Sequence, residues 1–339
     1  MNIFNIIYLF FNILLFINFN KISNVIKIYD KSNNRKLHTG NISLAGGVLI
    51  FISIFLYFLF LKIFNNNFIN QLFNNETQTL VFIISASLFF AIGLIDDIKD
   101  LSSKYKIILF FFFVIFYLNF DPSMILEILF FSSFKKVLLL QNASFIFTLF
   151  CIIIFINAFN MYDGSNGQIG IYSITLLLYL SYKLDVLELL IISLPILFFL
   201  FLNLKSKTFI GNSGSYFLGF FFSILIIKVY KIDNILKADE ILLIMFYPII
   251  DLIRLFVLRL VNNKNPFKGD REHIHHYLLN KLKTNNLVQI YLFILMFFPI
   301  ITYEVFKLNL ISILLINIII YIFIIIKTKN NKKLDDKLH

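Results

Sequence analysis

The sequence predicts an all-α fold, a polytopic integral-membrane bundle of about eleven transmembrane helices, and three observations carry that expectation. Of the 339 residues, 59% are hydrophobic and 14% charged, a balance outside that of water-soluble globular domains. Apolar stretches recur along the whole chain, at 3–19, 44–64, 79–95, 107–120, 144–161, 169–182, 186–203, 215–230, 240–261, 287–306 and 308–327, on a ruler of about 20 residues per crossing. The connections also alternate in charge. The segments at 20–43, 96–106, 162–168, 204–214, 254–286 and 327–339 hold 22 of the 30 Lys and Arg residues. By the positive-inside rule this set faces the cytoplasm, which leaves the N-terminus outside and the C-terminus inside. The formal charge of +11 is then a topology signal, and nucleic acid is not an expected partner.

The chain reads as one membrane-embedded domain over 1–339, with a cytoplasmic loop at 254–286 and a basic tail at 328–339. Its first span has no basic segment before it and no small-residue cleavage site after it, so a retained anchor is expected. The sole cysteine, Cys151, lies within a span, which excludes a disulfide framework and a thiolate zinc site. Between the first two spans, Asp30, Arg35, Lys36 and His38 fit a basic loop as well as a site. Gly46-Gly47 permits close backbone approach where the second span opens.

The third span stops at Asp96-Asp97, followed by Asp100, Lys104 and Lys106. Adjacent carboxylates repel, and keeping both ionised beside an apolar segment calls for a cation; a hard ion such as Mg²⁺ takes oxygen ligands. A phosphate-bearing substrate suits that mixture. At the end of the fifth span, Asn157 and Asn160 share a helix face, and Asp163 continues it if the helix persists. Gly164 and Gly167 suit a tight turn near a ligand, while a packing stripe of asparagines is the structural alternative. Before the eighth span, Gly211-Asn212-Ser213-Gly214-Ser215 reads either as an anion cradle of free N–H groups or as a small-residue helix start.

In the ninth span Asp251 and Arg254 are one turn apart, compatible with an ion pair or with direct catalysis. The long loop after it carries Lys268, Arg271, His273, His275 and His276, so three of five histidines occupy four positions. Without cysteines these fit hydrogen bonding to phosphate or carbonyl oxygens better than a transition-metal site. The last two spans show no chemical motif. They are expected to complete the bundle.

Taken in order, Arg35 to His38 with Gly46-Gly47, Gly93 to Asp100, Asn157 to Gly167, Gly211 to Gly219, Pro248 to Asp251 and Pro266 to His276 resemble the polyprenyl-phosphate N-acetylhexosamine-1-phosphate transferases, also grouped as glycosyltransferase family four. The Arg-Glu-His-Ile-His-His form looks most like the bacterial UDP-N-acetylglucosamine enzymes. The resemblance implies an enzyme of the bacterial inner (plasma) membrane whose cytoplasmic site transfers N-acetylhexosamine 1-phosphate, with N-acetylglucosamine as the expected sugar. The donor is a UDP-sugar, the acceptor undecaprenyl phosphate, and the product starts a lipid-linked surface glycan, with UMP released. It implies Mg²⁺ or Mn²⁺, the lipid bilayer as surroundings, and a monomer or homodimer.

The resemblance also implies roles. Asp96, Asp97, Asp163 and His273 are the expected catalytic residues. Lys104, Lys106, Asn157, Asn160, Arg271, His275 and His276 are expected to bind substrate, and Asp97, Asp163, Asn166 and Asn212 to bind metal. Many family members carry a metal-ligating Asp where this chain has Asn212, and bacterial relatives often carry Asp at the position of Asn166. A silent relative that binds lipid or UDP-sugar is therefore an alternative. A transporter for an anionic lipid is less favoured, because it predicts midplane polar residues and internal repeats.

Overall fold

The computed structural model describes residues 3–30, 40–64, 66–133, 137–232, 235–265 and 272–338, with side chains described between 4 and 328. Arg35, Lys36, His38, Lys268 and Arg271, singled out above, lie outside the described residues. The chain divides into two compact units, residues 1–127 with 140–235 and residues 128–139 with 236–339, where the sequence reads as one domain.

Among its described residues the first unit holds ten α-helices: α1 (Ile3–Ile17), α2 (Phe19–Ile26), α3 (Ala45–Ile63), α4 (Asn67–Leu72), α5 (Glu76–Lys99), α6 (Ser103–Phe120), α7 (Ser144–Tyr162), α8 (Gln168–Leu184), α9 (Leu187–Leu204) and α10 (Gly211–Lys231). A two-residue hairpin, β1 (Tyr29–Asp30) with β2 (Ile42–Ser43), pairs antiparallel in the register Tyr29 with Ser43 and Asp30 with Ile42. Ser43 bridges in parallel to Thr208.

Helix α10 is the axis of this unit. It is apolar on every side, and such a helix has to be enclosed by others; its whole apolar window is buried. It packs on α3, α5, α7 and α8. Phe220 stacks on Phe89 with ring centroids 4.7 Å apart, and Phe221 meets Phe58 edge-on at 5.8 Å. At its other end the contact is backbone to backbone. A Cβ on Gly214 would sit 2.6 Å from the Cα of Gly47, and one on Gly93 would meet the backbone of Asn212 and Ser213. These glycines bring the ends of α3 and α5 onto the first turn of α10.

The second unit comprises the hairpin β3 (Ile128–Phe130) with β4 (Val137–Leu139) and the helices α11 (Ala238–Ile244), α12 (Phe246–Val261), α13 (Ile274–Leu282), α14 (Asn285–Glu304) and α15 (Leu310–Leu338). Asp239, at the start of α11, accepts the backbone N–H groups of Ser132 and Ser133.

Among the described residues, eight helices are long and apolar enough to cross a membrane, or ten if two bent pairs each count as one: α1 with α2, bent by 66°, and α11 with α12, bent by 78°. These pairs cover the expected spans at 3–19 and 240–261. The expected span at 169–182 is α8, whose 17 residues fall just short of that length. Several expected connections are partly helical, among them 20–43, which contains most of α2. Helix α12 runs to Val261 and α13 lies within 254–286, while α15 continues through the basic tail.

Candidate active site

Two polar clusters stand out, one in each unit. The first is built where α5 ends against the start of α10. Asp96 and Asp97 are adjacent in sequence but have different partners. Asp96 is buried, 2% exposed, and every direction around it is occupied: the Leu101 N–H donates to Oδ1 at 2.8 Å, the Tyr216 hydroxyl to Oδ2 at 2.8 Å, and Lys106 Nζ lies 2.7 Å from Oδ2. Asp96 and Lys106 therefore engage each other. Lys104 is exposed on the first turn of α6.

Asp97 sits on the N-terminus of α10. Its Oδ1 accepts from the Asn212 N–H at 2.7 Å and its Oδ2 from the Ser213 N–H at 3.0 Å, donors that a helix start leaves unpaired and that attract negative charge. The anion cradle read from the glycine-rich sequence exists, and the protein's own carboxylate lies in it. Gly211, at φ +69, has room for no side chain, because a Cβ there would stand 2.7 Å from Asp97 Oδ2.

Helix α7 stops at Tyr162, and Asp163 leaves the helix at φ −77 and ψ 63, so it does not extend the asparagine stripe. It is half-buried. Burial first, then the charges of Asp97 and Asp30, push its carboxyl up to about 7. A carboxylate so placed, with other carboxylates rather than a cation acting on it, favours a positive charge beside it. The nearby donors are carboxylate and amide oxygens, the set a hard divalent ion prefers. Among the described residues, no three His, Cys, Asp or Glu side chains form a ready metal cluster. Asp163 and Asp97, whose oxygens have lone pairs beyond those used by the helix N–H groups, fit the ion only together with non-carboxylate oxygens.

The asparagines hold the frame. Asn160 Oδ1 accepts from the Ser215 hydroxyl at 2.7 Å, and Asn157 Nδ2 donates to the Ile153 carbonyl of its own helix. Asn166 donates to Ser206 at 2.7 Å, and Asn212 is half-buried beside Asp97. Residues missed by sequence reasoning complete it. Asn203 accepts from the Gly167 N–H and donates to the Thr208 carbonyl, and Thr208 accepts from the Gly46 N–H. A lone asparagine ending the apolar run of α9 is the signal that could have found this tie.

The second cluster surrounds Asp251 on α12, 4% exposed. Arg254 Nη2 donates to its Oδ1 at 2.7 Å, and His273 Nδ1 lies 3.0 Å from its Oδ2. This settles the Asp251–Arg254 pair as an ion pair, with His273 held by the same carboxylate. A histidine bonded through Nδ1 presents Nε2 outward. His275 is 3% exposed, and its Nε2 has no hydrogen-bond partner among the described residues. Burial, then the neighbouring His276 and His273, hold it well below the ordinary histidine value. His273 and His275 stack with centroids 5.4 Å apart, and His276 is 4.2 Å from His275.

Eight to ten candidate spans among the described residues mark a multi-pass membrane protein, with Asp97 seated on a helix N-terminus in the first unit and His273 held by Asp251 in the second. Residues 79–230, which contain Asp96, Asp97, Lys106, Asp163, Asn203 and the start of α10, match the family model described as Glycosyl transferase family 4. The chain is 27% identical over 270 residues to an undecaprenyl-phosphate alpha-N-acetylglucosaminyl 1-phosphate transferase of Thermotoga maritima, covering 79% of each chain. It is 28% identical to the enzyme of that name from Yersinia pestis, over 76% of this chain and 71% of the relative. For the Escherichia coli K12 enzyme of that name the identity is 27%, over 80% and 74%.

Proposed function

We propose that this protein transfers N-acetylglucosamine 1-phosphate from UDP-N-acetylglucosamine to undecaprenyl phosphate, at the cytoplasmic face of a bacterial plasma membrane. The observation that carries the reading is the seating of Asp97 on the start of α10, with Asp163 at the end of α7 close enough to feel its charge, inside the segment that matches the family. The names of the similar enzymes support the lipid acceptor and the N-acetylglucosaminyl 1-phosphate group; the UDP donor is part of the proposal.

In the reaction an oxygen of the lipid phosphate forms a bond to the β-phosphorus of the donor. The bond from that phosphorus to the bridging oxygen breaks, and UMP leaves with the oxygen. The lipid now carries a diphosphate joined to the sugar. A phosphate monoester has its second pKa near 6, so the nucleophile is largely dianionic at neutral pH and little proton removal is required. The main barrier is the repulsion between two anions, which positioning and opposite charge relieve.

Asp163, Asp97 and the oxygen donors around Asn212 would hold Mg²⁺ or Mn²⁺, which when bound supplies the positive charge that the diphosphate needs. Lys106, fixed by Asp96 yet with 22% of its side chain exposed, keeps an ammonium at the edge of this cluster. Lys104 lies open to solvent nearby in sequence. In the second unit His273, with its Nδ1 committed to Asp251, offers Nε2 to a phosphate or sugar oxygen, and His275, His276 and Arg271 are assigned to the donor with it.

The test is movement of labelled sugar from UDP-N-acetylglucosamine into the lipid phase by purified protein, with undecaprenyl phosphate and Mg²⁺ each present or omitted. Label that enters lipid only when both are present supports the reading. Label that prefers UDP-N-acetylgalactosamine in a parallel arm changes the sugar and keeps the reaction. Asn212, and the absence of a three-carboxylate cluster among the described residues, favour one second reading, a binding protein without turnover. UDP-sugar binding with no UMP release in ample Mg²⁺ or Mn²⁺ would establish that instead.

A further inference from the structure

Helix α15 has an almost uniformly apolar sequence, yet two of its buried polar side chains reach α12. Asn317 accepts from the Tyr247 hydroxyl at 2.9 Å. Tyr321, 2% exposed, donates its hydroxyl to Asp251 Oδ1 at 2.6 Å and accepts from Arg254 Nε at 2.6 Å. A phenylalanine would fill the same volume with no polar atom to satisfy, so a buried hydroxyl persists here because it is bonded.

Those bonds divide the Asp251 carboxylate. Its Oδ1 is tied by Arg254 and Tyr321, which leaves Oδ2 for His273 Nδ1 at 3.0 Å and the Ile274 N–H at 3.4 Å. Arg254 is committed as well: its Nη2 also donates to the Glu272 carbonyl, and its guanidinium lies 5.8 Å from the Tyr277 ring centre and 6.0 Å from that of Tyr321. The backbone on either side of His273 thus hangs on Asp251 and Arg254, and Tyr321 contacts both. If the hydroxyl is removed, the carboxylate can turn, Arg254 Nε loses its acceptor, and the imidazole loses the support that fixes its direction.

We propose that Tyr321 is a positioning residue for His273, acting through Asp251 and Arg254. The consequence for activity rests on the reading of His273 as a donor-binding group; the structural consequence does not. Removing the hydroxyl lowers kcat/KM for the UDP-sugar by about 10–100-fold, the scale seen when a partner that orients a ligating histidine is lost. The loss appears chiefly in the donor KM, with the KM for the lipid phosphate unchanged.

The experiment compares the full chain in detergent with Tyr321→Phe, with Asn317→Leu, which breaks the other α15–α12 bond without touching Asp251, and with both tyrosine forms in a His273→Ala background. Hydrogen exchange over 272–278 is read together with donor and acceptor kinetics. Expected are faster exchange in that segment and a raised donor KM for Tyr321→Phe only, and no further loss of kcat/KM when His273 is already alanine. Asn317→Leu lowers thermal stability and changes neither readout. Unchanged exchange in Tyr321→Phe, or an equal activity loss with and without His273, overturns the proposal. If the wild-type chain releases no UMP from any donor, the proposed function fails, and the exchange result alone decides for or against the positioning role.

Discussion

Replacing Gly93 by alanine adds one methyl group at the point where α5 meets the first turn of α10, and the structure sets the size of the effect. An ideal Cβ there stands 2.5 Å from the Asn212 carbonyl carbon and closer still to the Asn212 oxygen and Ser213 Cα, whereas ordinary contact begins at 3.4 Å. The obstacle is backbone, which cannot rotate aside, so the start of α10 must recede by at least about 0.9 Å. A retreat of that size along the 2.7 Å bond from the Asn212 N–H to Asp97 takes it to about 3.6 Å, beyond hydrogen bonding. Overpacking of this kind costs about 1–3 kcal/mol in stability. A 1 Å displacement at a reacting centre costs about 10²-fold in rate. The assay is UMP release by the purified variant beside its thermal unfolding, with Gly170→Ala as control, since a Cβ there meets only the side chain of Leu200, at 3.2 Å. A Gly93→Ala protein that turns over at the control's rate would refute the idea that the seating of Asp97 on α10 matters to the reaction.

Other outcomes follow from the same geometry. Asp163→Asn removes the half-buried carboxylate, and UMP release should fall by about 10²–10³-fold while the thermal midpoint without metal does not drop. Mg²⁺ should raise the thermal midpoint of the wild type by ligand linkage and leave that of Asp163→Asn unmoved. Lys106→Met strands Asp96 as an unpaired buried charge and should destabilise by about 3–5 kcal/mol; adding Asp96→Asn should recover part of that loss, read as coupling in a double-mutant cycle. His275 is held neutral in the fold, whereas in the unfolded chain it takes up a proton near pH 6.5. Acid therefore favours the unfolded state: stability should fall as pH drops below about 6.5, by up to about 1.4 kcal/mol per pH unit, and His275→Gln should flatten the slope measured by unfolding between pH 7.5 and 5.5.

The helical class and most spans were legible because membrane crossing leaves a strong signature, long apolar runs bounded by charge. Bends were not. The 66° turn after Ile17 falls at Asn18, and the 78° turn near Met245 falls just before Pro248, which has no N–H for the Ile244 carbonyl; in sequence neither signal tells a bend within a span from the end of one. Motif residues were legible as a set, because carboxylates and histidines in so apolar a chain need a reason. Their partners were not, because hydrogen bonding across α5, α6 and α10 depends on which face each residue takes. Asp96 and Asp97 look alike in sequence, yet one is sealed by Lys106 and Tyr216 and the other caps a helix. Tyr321 was passed over for a related reason: one hydroxyl in an apolar helix gives no periodic signal, and only the fold brings Asp251 to it.

The most direct test of the account is the fate of the donor's β-phosphorus. The purified chain is given undecaprenyl phosphate, Mg²⁺ and UDP-N-acetylglucosamine labelled with ³²P at the β position, and the label is followed with the nucleotide product. The account predicts labelled lipid and unlabelled UMP in equal amounts. Label that stays with the nucleotide as UDP, or a lipid that gains sugar without phosphorus, would contradict it.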